Sequence, residues 1–508
     1  MDKLQWDQEL YEKIENKVNE NMPALDGKPE CSILDGKYKI LVKNIDEEYL
    51  THPDGIYKGS KSELKHDKDY ISKSLIKNIR KIEYYGDAIQ EAINDATSNG
   101  GGKVVIKGSN DSQNPNVYYT GAINLRSNVE LHIEENAILK FVRNKTNEFY
   151  PLVYTRWEGI EHMNFSPFIY SYEEKNIAIT GKGAIDGCAD EFNWMPWKFG
   201  YFNEEDQQIQ RERLFNLGQI NADVRTERIF GDDVSTIRPP FIQPYKSKNI
   251  LIKDIKILNS PFWEVNPVLC ENLKVSGIRI ETNLYNNDGV DPESCRDIII
   301  ENCFFLTGDD CIAIKSGRNN EGRNIGVPCE NIIIRNNEFK DGHGGITIGS
   351  EISGGVNDVF AHDNYFDSEE LDYPIRFKTN AERGGKLENI FVKNSTVNKS
   401  KIAVIHADFF YEEGTNGNHK PILRNIRLSN IKTVEGESIE AQHALYLKGF
   451  EEAPIENIVI EDAVLSGVKG ESVLQNIKNL TFKNVCINGE KLEDQNINVD
   501  NDFKVNKL

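Results

Sequence analysis

From residue 248 onward one pattern recurs: an Asn or Asp, then a short strand with apolar residues at alternate positions. It reads "KNILIKDIKI" at 248, "ENLKVSGIRI" at 271, "RDIIIENCFF" at 296, "ENIIIRNNEF" at 330 and "NDVFAHDNYF" at 357. It continues as "ENIFVKNSTV" at 388, "RNIRLSNIKT" at 424, "ENIVIEDAVL" at 456 and "KNLTFKNVCI" at 478. Earlier copies are "SNVELHIEEN" at 127 and "KNIAITGKGA" at 175. From 248 the copies start 22 to 36 residues apart, with no helical period between them. Such strands, each burying one face and separated by turns, predict a solenoid of parallel coils. Residues from about 120 to 495 therefore read as an all-β parallel β-helix. The Asn that opens each strand can stack over its copies as an amide ladder.

Three stretches depart from the repeat. "GDAIQEAINDATSNGGG", 86–102, puts Ala88, Ile89, Ala92, Ile93 and Ala96 on one helical face and then runs into glycines. It predicts a short N-terminal capping helix that covers the open strand edges of the first coil. Residues 1–80 are charged and repeat nothing; they read as an accessory segment of unknown role, ahead of a β-helix domain over 81–508. Residues 186–245, with Trp194, Trp197 and "RPPFIQPY", break the repeat as an insertion. Insertions of this kind map to loops on one side of a solenoid, often the binding side.

Composition narrows the function. The 508 residues carry 60 basic and 81 acidic side chains, net −21, and no Lys/Arg-rich run. That excludes a nucleic-acid binder, and an acidic ligand would need a few local cations. Eight cysteines with no C-x-x-C pair argue against a disulfide scaffold or a zinc site. Cys270, Cys295, Cys303 and Cys329 fall on repeat positions, as buried free thiols would. The start, "MDKLQWDQELYEKIENK", has no apolar core of a signal peptide, and no run of apolar residues spans a membrane. The expectation is a reduced, cytoplasmic protein with no membrane partner.

Against this acidic background, certain charged residues fall at coil spacing. Asp288 precedes Asp309 and Asp310 by 21 and 22 residues; His343 follows Asp310 by 33; Arg376 follows His343 by 33, with Lys378 two further on. One coil along the chain is one rung along the axis, about 4.8 Å. These side chains can therefore sit on neighbouring rungs of one face. Asp309 and Asp310 would point to opposite faces of a straight strand, so the backbone is expected to turn there. Taken singly, each motif also reads as an ordinary turn or exposed edge.

In order, these residues form "NND" (286–288), "GDD" (308–310), "GHG" (342–344) and "RFK" (376–378). Together, on this repeat, they resemble the N-x-D, G-D-D, G-H-G and R-x-K marks of the polygalacturonases, glycoside hydrolase family 28. The resemblance spans roughly residues 84–490. Asn287 and Phe377 depart from the family's usual Thr and Ile, and Asn266-Pro267 stands where related sequences often have His-Pro. The resemblance implies a right-handed, single-stranded parallel β-helix. It implies hydrolysis of α-1,4-galacturonosyl linkages in pectin-derived oligogalacturonides, with inversion and carboxyl groups about 6.5–9.5 Å apart. It gives Asp309 as general acid, Asp288 and Asp310 as the pair that activates water, and His343 as support for the protonation of Asp309. Arg376 and Lys378 would hold a galacturonate carboxylate. Apart from the roles the resemblance gives, Asn286 at the head of the first motif, Glu351 and Trp263 are further candidate substrate contacts. No cofactor and no metal are implied, in contrast to a calcium-dependent β-helix lyase.

Softer candidates surround this set. Trp157, Trp194, Trp197 and Trp263 suit either stacking on sugar faces or core packing. Arg383 in "ERGG" lies near the motifs, as does Glu351 in "GSEISGG". The insertion at 186–245 could wall off one end of a cleft, and "DDCIAIKSGRN" and "GSEISGG" resemble the exo-acting branch. The favoured reading is an exo-galacturonidase acting on short chains. Its rivals are a hydrolase of rhamnogalacturonan or another decorated pectin, and a non-catalytic carbohydrate-binding β-helix.

Overall fold

The computed structural model describes residues 4–49, 51–52, 55–56, 76–231, 235–500 and 503–505. They form two compact units, one of residues 23–266 with 281–287, the other of 1–22, 267–280 and 288–508. In both, the chain winds as a right-handed, single-stranded parallel β-helix.

In the first of these, the helix Gly86–Ser98 buries the face the sequence marks out, Ala88, Ile89, Ala92, Ile93 and Ala96. Gly101, at φ 124°, closes its end by donating to Ala96 O at 2.8 Å. Strands Gly102–Ile106, Val129–Ile133, Lys175–Thr180 and Lys248–Lys253 then stack in parallel. The insertion folds into two helices, Met195–Phe199 and Gln207–Gln219. A hairpin, Leu152–Trp157 with Ile160–Phe165, precedes it and has no counterpart in the repeat reading. Leu214 and Phe230 from the insertion pack with Trp157, Ile160, Phe262 and Trp263 in one apolar cluster. Trp194 is also fully buried.

The other unit carries the longer run of coils. Strands Glu271–Ser276, Arg296–Glu301, Cys329–Arg335, Val356–His362 and Lys386–Lys399 pair in register, and three more continue the stack. Ile298, Ile332, Val359, Ile390, Ile426 and Ile458 form one buried column. The opening Asn or Asp of each strand has a positive φ, from Asn331 at 59° to Asn457 at 57°. Short side chains that hydrogen-bond locally tolerate that left-handed bend best. The expected ladder forms: Asn425 donates to Asn389 Oδ1 at 3.1 Å, and Asn457 to Asn425 Oδ1 at 3.2 Å.

These strands have apolar residues on both faces, because the outer one is also roofed. Helix Gln8–Glu20, capped by Asp7, lays Tyr11, Ile14 and Val18 on Ile299, Ile333, Phe360 and Phe391. Lys17 pairs with Asp297 at 2.5 Å, and Arg335 with both Glu15 and Glu301. The accessory segment thus divides: its first 22 residues cluster with these coils, and its later described residues with the other unit. Trimming the buried Ile14 to Ala should cost about 2–4 kcal/mol, the usual cost of a large-to-small change in a packed apolar cluster. Urea unfolding of Ile14→Ala beside the wild type measures it.

Candidate active site

A second sheet in the same unit faces outward: Ile312–Ile314, Gly344–Ile348, Tyr373–Lys378, Ala403–Asp408, His443–Lys448 and Ser472–Gln475. Ile312, Ile346, Ile375, Ile405 and Leu445 are register partners and point into the core. Their neighbours Ala313, Thr347, Arg376, His406 and Tyr446 therefore share the opposite face.

The acids stand just before these strands on adjacent coils. Gly289 N donates to Asp310 O at 2.9 Å, and His343 N to Asp309 O at 3.1 Å. The backbone bends at Gly308–Asp309, as expected, so both aspartates of the pair reach one side. Both glycines around His343 are sterically required. Gly342 has φ 144°, and a Cβ on Gly344 would meet Thr347 Oγ1 at 2.0 Å and Asp310 Oδ1 at 2.7 Å.

Oxygens of Asp288, Asp309 and Asp310 lie within 4.8 Å of one another. Two full charges at that distance repel by about 3.5 kcal/mol at an effective dielectric of 20. Cations answer this at each acid. Asp310 is fully buried and bound by Lys378 at 2.5 Å, Arg376 at 3.1 Å and the Thr347 hydroxyl at 3.1 Å. Asp309 meets His343 Nδ1 at 3.0 Å. Buried Lys315 lies 3.5 Å from Asp288, 3.6 Å from Asp291 and 3.3 Å from Glu351. Arg318 holds Glu351 from its other side at 3.2 Å. Among the described residues, these three aspartates are the one acidic group at metal-ligand spacing. Lys378, Arg376 and His343 already take lone pairs of Asp310 and Asp309 that a metal ion would need.

These neighbours drive the protonation states apart. Burial, then the charges of Asp291 and Asp309, push Asp288 well above the carboxylate range, against the pull of Lys315. Burial also acts on Asp309, but the His343 hydrogen bond and the charges of His343, Lys378 and Arg376 outweigh it and hold its pKa down. His343 is raised to about 9 by its hydrogen bond to Asp309, against its partial burial. This corrects the expected role of His343: in the free site it stabilises ionised Asp309 rather than protonated Asp309. The spacing also needs correction. A limit of 4.8 Å between oxygens is shorter than the 6.5–9.5 Å associated with water placed between an acid and a base.

The other expected site residues divide. Glu351 is buried against Lys315 and Arg318 and serves as their counter-ion rather than offering itself to a ligand. Arg383 is fully buried and bound to Glu412 at 2.9 Å. In the other unit, Asn286 Oδ1 accepts from buried Arg238 at 2.8 Å. Asn287, the departure inside the first motif, is structural: its amide donates to Ser260 O at 2.8 Å and Phe262 O at 3.2 Å. Trp263 is a correction: it is 4% exposed and stacked on Phe262, which leaves almost no ring surface for a sugar. Sequence reasoning missed Asp291, Lys315, Thr347 and Arg238. A lysine inside the apolar strand "CIAIKSG" was the available signal for Lys315.

A parallel β-helix that gathers three carboxyl groups, a histidine and an Arg–Lys pair on one outward face defines a glycoside hydrolase. The family model for glycosyl hydrolases family 28 matches residues 230–487. The chain belongs to that family. It is 32% identical over 251 residues to a protein of Vitis vinifera named "Probable polygalacturonase", covering 47% of this chain and 48% of that one. It is 25% identical over 398 residues to the exo-poly-alpha-D-galacturonosidase of Dickeya chrysanthemi, covering 73% of this chain and 65% of that one. The chain thus spans about half and just under two thirds of these curated relatives. Among solved structures, the hyperthermoactive exopolygalacturonase of Thermotoga maritima superposes with a TM-score of 0.80 at 33% identity, covering 97% of this chain and 99% of that one.

The His343–Asp309 pair has a direct readout. In the wild type, the His343 ring protons should titrate with a midpoint near 9. In Asp309→Asn the midpoint should fall toward the ordinary histidine value of about 6.5. Proton NMR across pH 5–10, assigned against His343→Gln, checks both.

Proposed function

We propose that the protein hydrolyses α-1,4-galacturonosyl linkages of oligogalacturonides, releasing galacturonate from chain ends with inversion. The reading rests on one observation: an Arg–Lys pair, Arg376 and Lys378, set directly against a cluster of three carboxyl groups. A uronate is the sugar class that presents an anion to such a pair. A guanidinium fork and an ammonium bind a carboxylate well, and a neutral sugar would gain little from them. The Thermotoga and Dickeya relatives, named as exo-acting on galacturonan, support the substrate and the end-wise mode.

The charges suggest how the site is armed. Without substrate, Arg376 and Lys378 neutralise Asp310 and help keep Asp309 ionised. A galacturonate carboxylate placed on those cations cancels much of their field. The pKa of Asp309 then rises, and the proton shared by the cluster settles on it. Lys315, untouched by substrate, favours the charged form of Asp288. Asp309 thereby becomes the acid that protonates the leaving oxygen, while Asp288 and Asp310 activate water. Inversion is favoured over a covalent intermediate because neither remaining carboxyl is a free nucleophile. Asp310 is tied to three side chains, and Asp288 is almost wholly buried beside Lys315. Water therefore stands beside the two bases rather than between acid and base, consistent with the short spacing.

The eight cysteines are all free, and six of them are buried. Free thiols persist in a reducing compartment, which supports the reading of a cytoplasmic enzyme.

Proton NMR of trigalacturonate digestion tests the reading. Early monomer plus dimer, with the new reducing end appearing first as the β-anomer, is the expected result. An α-anomer appearing first would overturn inversion, and an unsaturated product would overturn hydrolysis. Asp309→Asn should lower kcat by about 10²–10⁴ while oligomer binding persists.

A further inference from the structure

The outward sheet does not end at Arg376 and Lys378. Lys378, Asp408, Lys448 and Gln475 are successive register partners, so they form one row of side chains along the axis. Alongside it runs a second row, Arg376, His406, Tyr446 and Val473, in which the His406 ring stacks between Tyr373 at 4.1 Å and Tyr446 at 5.2 Å. Lys448 stands two rungs beyond Lys378, about 10 Å along the axis. A pyranose with its glycosidic bond spans close to one rung, so a uronate chain lying on this face advances about two sugars over that distance.

Two features single out Lys448. Among the described residues it makes no salt bridge, in a chain where most half-buried cations have a carboxylate partner. Its register partner Asp408 feels its charge but is turned to accept from Phe410 N at 2.8 Å. The Lys448 ammonium instead lies 5.0 Å from the ring centroid of Phe410, which is 36% exposed. Phe410 and Gln475, the register partner of Lys448, both line a cavity of about 390 Å³. Phe450, Thr415 and Asn476 add aromatic, hydroxyl and amide groups to its wall, and Glu451 and the Lys420–Glu452 ion pair stand on its rim, so Lys448 is, among the described residues, the cation there that no carboxylate pairs. Apolar faces beside hydrogen-bonding groups are what a sugar ring requires.

We propose that Lys448, with Phe410 and the cavity behind it, is a second carboxylate-reading subsite. It binds a galacturonate about two residues along the chain from the one held by Arg376 and Lys378. This rests on the galacturonan reading above and adds a length preference to it: a dimer is too short to reach Lys448, whereas a tetramer or longer chain reaches it.

Steady-state kinetics on digalacturonate, tetragalacturonate and pentagalacturonate test this with wild type, Lys448→Met and Phe410→Ala. Lys448→Met should raise KM for the tetramer and pentamer by about tenfold, the worth of one charge-assisted hydrogen bond. Its kcat, and its kinetics on the dimer, should match the wild type; the unchanged dimer rate also shows that the variant is folded. Phe410→Ala should reproduce the same length-selective loss without touching the charge. If wild type hydrolyses all three but neither variant changes KM with length, the subsite is wrong and the galacturonan reading stands. If wild type hydrolyses none of them, the galacturonan reading falls, and the subsite with it.

Discussion

The hydrogen-bonded distance between coils governs this molecule. A parallel ladder fixes neighbouring rungs less than 5 Å apart, so a charge on one coil cannot ignore the coil above. Where three carboxyl groups meet at such spacing, the chain must supply cations, share a proton or unfold locally. It uses the first two: Lys378, Arg376 and His343 lie on the later coils, Lys315 flanks from the same sheet, and Asp288 is pushed toward its neutral form. Even the glycines follow from this constraint, since the rung holding His343 has no room for a side chain beside Asp310.

The cations fall into two populations. Arg376 and Lys378 both pair with Asp310, and on the proposed reading they are the pair that would exchange it for an incoming anion. Lys315, Arg318 and Arg383, each at most 2% exposed, are held beneath the surface: Lys315 and Arg318 by buried Glu351, and the two arginines also by Glu412 at the surface. Buried ion pairs contribute little net stability over apolar packing, but removing one partner leaves an uncompensated charge. Their value here is positional: Arg318 and Glu351 hold Lys315 in place, and Lys315 sets the field that Asp288 experiences.

Much of this was legible in the sequence because the repeat is written in residue types with strict backbone meaning. Asn and Asp mark the left-handed bend at the head of each strand, and their recurrence gave the coil length. Coil length then brought Asp288, Asp309, Asp310, His343, Arg376 and Lys378 to one place. What stayed hidden depended on distances across coils. "DIIIEN" and "ENIIIRN" announce apolar residues on both strand faces, yet nothing in them says that Tyr11, Ile14 and Val18 provide the cover. Trp263 gave the same signal as a sugar-stacking ring because burial is not written in residue type. The ionised state of Asp309 was illegible too, since it turns on a 3.0 Å contact with a histidine one coil away.

The helix Gln8–Glu20 is synthesised well before its landing site, which spreads from Ile299 to Phe391. At 5–20 residues per second, roughly 20 to 75 s pass between the synthesis of Glu20 and that of Phe391. A thirteen-residue helix is marginal alone in water, so until the coils that carry this site form, the segment lacks the full surface on which it becomes a helix. It therefore works as a seal on the coils from Arg296–Glu301 to Lys386–Lys399, ordered only once those coils are stacked beneath it.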